Sequence, residues 1–189
     1  MVYFAYVSPE GSSIYDTGEQ NGILLLENNI IEIRSEYQDC LLFLAGDFNS
    51  RTTNCLDFIP NDNLDFVLGD VDYDSDNFEL RRNNLDYVRY NNYGKTLVEL
   101  CCCNNMHIVN GRLHDDVRGN FTCINHNGAS VVDNNIASRD LFPYISQFGI
   151  ENRDVSIHFP LNCQFKFPSN HVINQNINLY ENMRPNVKI

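Results

Sequence analysis

The sequence predicts a mixed α/β layered sandwich with largely antiparallel sheets, and three observations carry that prediction. Two segments of helical periodicity alternate with short β-prone runs. One run, Cys40-Leu41-Leu42-Phe43-Leu44-Ala45, is continuously apolar, as expected of a strand buried on both faces. Two others flank Asn125-His126-Asn127-Gly128, where an Asn-Gly pair between β-prone runs is a hairpin signal. Strands joined by hairpins favour antiparallel sheets over a doubly wound parallel one.

The elements follow in order. Residues 1–7, rich in Val, Tyr and Phe, read as a strand that Ser8-Pro9-Glu10-Gly11 breaks. Ile23, Leu26, Ile30, Ile33 and Tyr37 recur at spacings of three and four, which puts them on one helix face. The apolar run at 40–45 ends at Gly46, so Asp47 and Asn49 fall on the loop where the strand emerges. Residues 52–92 are polar and turn-rich without a sustained period, and read as a long acidic loop with room for one short helix. Leu97, Leu100, Cys101 and Asn104 place a helix over 94–106, and His107-Ile108-Val109 forms a short strand closed by Asn110-Gly111. The hairpin joins Phe121-Thr122-Cys123-Ile124 to Ser130-Val131-Val132, with Asp133 at its end. A strand covers 145–150, and a last one surrounds His158-Phe159-Pro160-Leu161. From Asn162 onward the chain is Asn-rich and aperiodic. The expected organisation is one domain over residues 1–162 and a tail over 163–189.

At 189 residues and 43% hydrophobic content the chain can bury a substantial core. No run approaches the roughly 20 apolar residues of a membrane span, and no basic leader precedes Ile23-Leu24-Leu25-Leu26. These features predict an intracellular protein with no membrane partner. Seven cysteines, three of them adjacent at Cys101, Cys102 and Cys103, do not form a spaced disulfide framework or a CxxC zinc motif. Reduced thiols and no disulfide-linked partner are expected. Successive helical residues point about 100° apart, so these three cysteines and His107 do not converge on one ion. The net charge of −12 opposes strong sequence-independent DNA binding. Eight of the acidic residues lie between Asp57 and Glu79, where there is no Lys or Arg. Asp70, Asp72, Asp74 and Asp76 alternate like ligands of a calcium loop. That loop needs Gly at its sixth position and Glu at its twelfth, but counting from Asp70 these are Ser75 and Arg81, and from Asp72 they are Asn77 and Asn83. A solvated acidic loop accounts for the pattern.

Asp47 and Asn49 beside a buried strand, with Asp133 and His158 at other strand ends, are groups suited to phosphodiester hydrolysis. That reaction needs a base for water, polar contacts to the phosphoryl oxygens, a cation and help for the leaving oxygen. Singly, Asp-Phe-Asn can be a turn and His158 a structural histidine. The ordered set says more. Tyr6-Val7-Ser8-Pro9, Gly46-Asp47-Phe48-Asn49-Ser50-Arg51, Val131-Val132-Asp133 and Ser156-Ile157-His158-Phe159-Pro160-Leu161 resemble the successive signatures of the endonuclease/exonuclease/phosphatase (DNase I-like) superfamily. Asn92-Tyr93-Gly94-Lys95-Thr96-Leu97-Val98-Glu99-Leu100-Cys101, Ile108-Val109-Asn110-Gly111-Arg112 and Gly119-Asn120-Phe121-Thr122 look most like the endonuclease domain of non-LTR (LINE-type) retrotransposons.

The resemblance spans roughly residues 3 to 161. It implies a four-layer α/β sandwich (α+β) with two mainly antiparallel sheets, incomplete at the N-terminus. It also implies a Mg2+-dependent phosphodiesterase, a hydrolase acting on DNA. By resemblance, Tyr6 contacts the scissile phosphate, Asp47 orients or deprotonates water and Asn49 steadies the phosphoryl group. Asp133 orients His158, which meets the phosphate.

Two departures bear on activity. The closing motif of the family is Ser-Asp-His, whereas this chain reads Ser156-Ile157-His158, with Asp154 three positions before Ile157. The family strands that precede the tyrosine motif and carry an asparagine and a metal-ligating glutamate are not in this sequence. Weak Mg2+ binding and impaired hydrolysis are therefore expected. The alternatives are a non-catalytic remnant or binding module that keeps the fold, or the same fold acting on a phosphomonoester or phospholipid.

Overall fold

The strand that organises the molecule is β2 (Phe43–Asp47), the core of the apolar run. The computed structural model describes residues 1–15, 21–60, 81–87, 89–151 and 156–168. Strand β1 (Val2–Tyr6) lies parallel to β2, and helix α1 (Gly22–Glu36) connects the two. Helix α2 (Asn92–Cys103) leads into β3 (Met106–Ile108). The hairpin of β4 (Cys123–Asn125) and β5 (Gly128–Ser130) precedes β6 (Asp133–Ser138). Strands β7 (Ile145–Ile150) and β8 (Leu161–Phe165) form a second antiparallel pair. The main sheet has the order β1-β2-β6-β3, with β6 antiparallel to both β2 and β3.

Strand alternation splits the core in two. Leu44 and Ile136 point to the helical side, where Ile23, Leu26 and Ile30 of α1 meet Leu97, Leu100 and Cys101 of α2. Phe43 and Ala137 point to the other side and pack under Phe142, Ile145 and Phe148. The run at 40–45 is thus buried on both faces, as its composition predicts. The molecule is a mixed α/β structure with several antiparallel pairings, layered as helices, main sheet and β7–β8 pair. Among the described residues no α-helix contributes to the core beneath β7–β8.

Local chemistry sets the helix ends. The side chain of Asn21 accepts from the Ile23 amide at 2.9 Å, and that of Asn91 accepts from the Gly94 amide at 2.8 Å, satisfying amides that a helix start leaves open. Among the described residues no helix is long and apolar enough to cross a membrane. All seven cysteines are free thiols.

Several elements depart from the sequence expectation. β2 runs through Gly46 to Asp47 instead of ending before the glycine. Gly46 has φ +149, and a Cβ there would come within 1.8 Å of the Ala5 carbonyl oxygen. Only glycine lets β1 pair this closely, so the residue that reads as a strand terminator is part of the ladder. The hairpin pairs Asn125 with Gly128, which makes His126-Asn127 the turn. The last strand begins at Leu161, beyond His158, and carries past Asn162 to Phe165. Tyr37 closes α1 as an exposed C-terminal residue instead of packing inward.

The segment read as a long acidic loop forms no helix or strand in its described residues before Asn92, but it buries polar groups that its composition does not announce. Asp57, Arg82, Asn84 and Asp86 are buried. The Asp57 carboxylate accepts from the Ile108 amide at 2.7 Å and is paired with Arg112, with both side chains fully buried. Burial pushes the Asp57 carboxyl up, but the hydrogen bonds and charge of Arg112, with Arg82 beyond, hold it below the ordinary carboxylate value. Residues 61–80, with the alternating aspartates at 70–76, lie outside the described residues, as do Asp154 and the tail from 169.

Removing one partner of a buried ion pair strands the other charge. Asp57→Ala should therefore lower unfolding stability by roughly 3–5 kcal/mol, read as a shift of the urea midpoint at unchanged slope.

Candidate active site

Antiparallel register places Asp47, the last residue of β2, directly opposite Asp133, the first residue of β6. Directly opposed side chains start about 5 Å apart at Cβ, so the pairing alone brings two carboxylates together. His158 joins them through an isolated bridge between its backbone and Cys123 of β4. Its Nδ1 lies 3.0 and 2.9 Å from the two carboxylate oxygens of Asp133. Asp47, Asp133 and His158 each offer a ligand atom within 4.8 Å of the others.

The loops around this cluster are tied down from several directions. Thr122 Oγ1 accepts from the amides of Val132 and Asp133, both at 3.0 Å, which fixes the start of β6. Ser156 Oγ accepts from the His158 amide at 3.1 Å. The Ile124 amide donates to the Ile157 carbonyl and the Phe159 amide to that of Thr122, holding the histidine segment along β4. Arg51, four residues after Asp47, bonds Asp86 through two nitrogens at 2.7 and 2.9 Å and the Ala129 carbonyl at 2.9 Å, clamping the β4–β5 hairpin to the loop after β2. Such a bidentate contact fixes orientation as well as distance.

Asp47 is held by its own turn, because its Oδ1 accepts from the Asn49 amide at 2.9 Å. Burial pushes its carboxyl above the ordinary value; the Asn49 amide opposes this, the Asp133 charge adds to it and His158 opposes it. Asn49 adopts φ 48, in the left-handed region that asparagine tolerates, and its Nδ2 donates to the Val7 carbonyl at 2.8 Å. The Asn49 side chain therefore ties the end of β1 to the Asp47 turn. Tyr6 stands beside Asp47 in the β1–β2 register, and its side chain is 69% exposed. Ile157, where the resembled motif has a carboxylate, is 54% exposed and offers no ligand atom.

One neighbour of the cluster was not singled out by the sequence. Cys123 Sγ lies 3.6 Å from His158 Nε2, the ring nitrogen that Asp133 does not engage. Burial, then the nearby charge of Asp133, raise the Cys123 thiol above its ordinary value. The signal available beforehand was only its place in the hairpin run next to Thr122. Mg2+ takes oxygen ligands in a near-octahedral shell. Of the group at ligand distance, the Asp47 and Asp133 carboxylates are oxygen donors of the kind such an ion takes with water completing its shell, and the His158 imidazole is not.

No protein family and no curated protein matches the chain. Among solved structures it is similar to the endonuclease domain of TRAS1, a telomere-specific non-LTR retrotransposon, at 16% identity and a TM-score of 0.45. That match covers 77% of this chain and 52% of the other. It is also similar to the 3′-5′ exonuclease NExo from Neisseria meningitidis, at 14% identity and a TM-score of 0.47. A structure of the Neisseria 3′ phosphatase NExo bound to product DNA hairpin gives 14% identity and a TM-score of 0.48. Each of these two matches covers 83% of this chain and 56% of the other, so the chain spans about half the length of the structures it resembles.

A carboxyl raised on folding costs stability once it ionises in the folded protein, and that cost disappears at acid pH where it is protonated in both states. In the presence of a chelator, Asp47→Asn should therefore raise the thermal midpoint near about pH 7. The gain should shrink as the pH falls toward the ordinary aspartate value of about 3.9. Scanning calorimetry across that range checks both the sign and the trend.

Proposed function

We propose that this chain is a phosphodiesterase-type domain of the endonuclease/exonuclease/phosphatase class, of retrotransposon origin and acting on DNA. The observation that carries the reading is the convergence of Asp47, Asp133 and His158 at one end of paired strands, in the order of the motif series. The series Tyr6, Asp47, Asn49, Asp133 and His158 supports the assignment of roles.

In this reading Asp47 takes the proton of the attacking water, a task suited to a carboxyl raised by burial. Asp133 fixes the His158 tautomer by accepting from Nδ1–H, so Nε2 is presented toward the phosphoryl group. The Tyr6 hydroxyl, exposed on the neighbouring strand, contacts a non-bridging oxygen of the same phosphate. Asn49 acts chiefly on position, holding the Asp47 turn against β1 through its bond to Val7. No step is assigned to Mg2+; if bound, it would be held by the Asp47 and Asp133 carboxylates with water and would offset charge on the phosphoryl group.

A second reading, a non-catalytic binding module that keeps the fold, is favoured by the exposed Ile157 in the closing motif. The two readings part on one experiment. Purified chain is incubated with supercoiled plasmid, with and without added Mg2+, beside Asp47→Ala and His158→Ala. Loss of an acid–base group costs about 100-fold or more in rate, so nicking should fall at least that far in each variant. Equal nicking by all three proteins would leave the binding-module reading in place.

A further inference from the structure

Residues 83–87 run as a segment whose side chains alternate: Asn84 and Asp86 are buried, whereas Asn83, Leu85 and Tyr87 face outward. The Asn83 amide donates to the Gly111 carbonyl and the Leu85 amide to that of Gly119, both at 2.9 Å. Asn83 Nδ2 donates to the Val117 carbonyl at 2.7 Å. These bonds lay the segment along the turn over 111–119. A groove of about 480 Å³ is lined by residues of both, with Asn54, Asn83, Leu85, Tyr87, Val117 and Arg118 in its walls. The turn leaves the main sheet at the end that carries the carboxylates, since Asn110 Nδ2 donates to the Asp133 carbonyl at 3.2 Å. Asp86, on the inward side of the same segment, reaches Arg51 and the Val131 amide. Both walls are therefore tied to the strands that present Asp47 and Asp133.

The lining inverts the sign of the whole chain. Against a net charge of −12, the groove holds one cation and no carboxylate. Among the described residues Arg118 forms no ion pair, while Arg51 and Arg112 are engaged by Asp86 and Asp57. Tyr87 is 67% exposed, and Leu85 and Val117 are open beside it in the same groove. A bare aromatic ring stacks on the face of a base, and a guanidinium without a carboxylate meets a phosphate. In a duplex the base faces are already stacked on one another, so only an unpaired base is free for the ring. We propose that this groove binds an unpaired nucleotide of a DNA strand, with its base stacked on Tyr87 and its phosphate on Arg118. The proposal rests on the reading of the chain as a domain acting on DNA, and adds the form of strand it engages. The net charge opposes binding through phosphates alone. Stacking therefore carries the larger share of the affinity.

The test reads binding in the presence of a chelator, apart from hydrolysis. Full-length chain is titrated into a fluorescently labelled oligothymidylate at low salt, and anisotropy reports the complex. The single strand should bind more tightly than a duplex of the same length. Tyr87→Ala should weaken binding by roughly 5- to 150-fold, the loss of one base–aromatic stack, and Tyr87→Phe should restore it. Arg118→Ala should lower the slope of log affinity against log salt by about 0.7, the loss of one phosphate contact on a single strand. A strand of abasic sites should bind weakly and show no response to Tyr87→Ala. Asp47→Ala should leave binding in place, which separates the groove from the carboxylate cluster. Ultraviolet cross-linking of an iodouracil-substituted strand to the unmodified chain should mark Tyr87, a readout that does not depend on any variant folding. A duplex or an abasic strand bound as tightly as the oligothymidylate, unchanged affinity in Tyr87→Ala, or a cross-link at the carboxylate cluster instead of Tyr87 overturns the proposal. Plasmid nicking that fails while these results hold removes the hydrolytic reading and leaves the groove. Nicking that succeeds while they fail does the reverse.

Discussion

The constraint on which the site depends is the antiparallel register of β2 against β6, which sets Asp47 and Asp133 face to face at the end of the main sheet. Two like charges in directly opposed positions are destabilising. The protein meets this cost locally: His158 binds one carboxylate and the Asn49 amide the other. The remaining architecture keeps that arrangement in place. Gly46 lets β1 close against β2, Thr122 fixes the first residues of β6, and Arg51 draws the hairpin carrying Cys123 toward the loop after β2.

The buried pair of Asp57 and Arg112 does for the centre of the molecule what the site contacts do for its edge. It joins the segment after β2 to the amide of Ile108 in β3 and to the turn that follows. A hydrophobic pair could fill the same volume, and buried ion pairs are weak contributors to net stability. This one satisfies a backbone amide at the same time as it neutralises a charge. The geometry of three segments is thereby linked through one carboxylate.

Much of the fold was legible because it rests on periodicity. The α1 stripe of Ile23, Leu26 and Ile30 and the α2 stripe of Leu97, Leu100 and Cys101 face the core as their spacing predicts, and a strand occupies 145–150 as read. What was hidden depends on partners distant in sequence. Asp57 belongs to an acidic stretch, and its burial depends on Arg112 and the Ile108 amide, 55 and 51 residues away. Gly46 looks like a terminator until the Ala5 carbonyl is set against it. Asp47, Asp133 and His158 were found through the order of motifs, and the structure brings the three together. Cys123 was missed because a cysteine in a hairpin strand carries no local mark; its relation to His158 arises from a backbone bridge across 35 residues.

One feature of β1 reaches beyond the site. Among the described residues β1 is an edge strand, and it presents Val2, Phe4 and Tyr6 to solvent at 53%, 79% and 69% exposure. No Asp, Glu, Lys or Arg occurs before Glu10, so this edge lacks the charges that commonly guard against strand-to-strand association. A general defence is the net charge of −12, whose repulsion acts at a distance and is screened over about 10 Å at 0.1 M salt. Added electrolyte screens that repulsion, and so weakens the force that keeps two such margins apart.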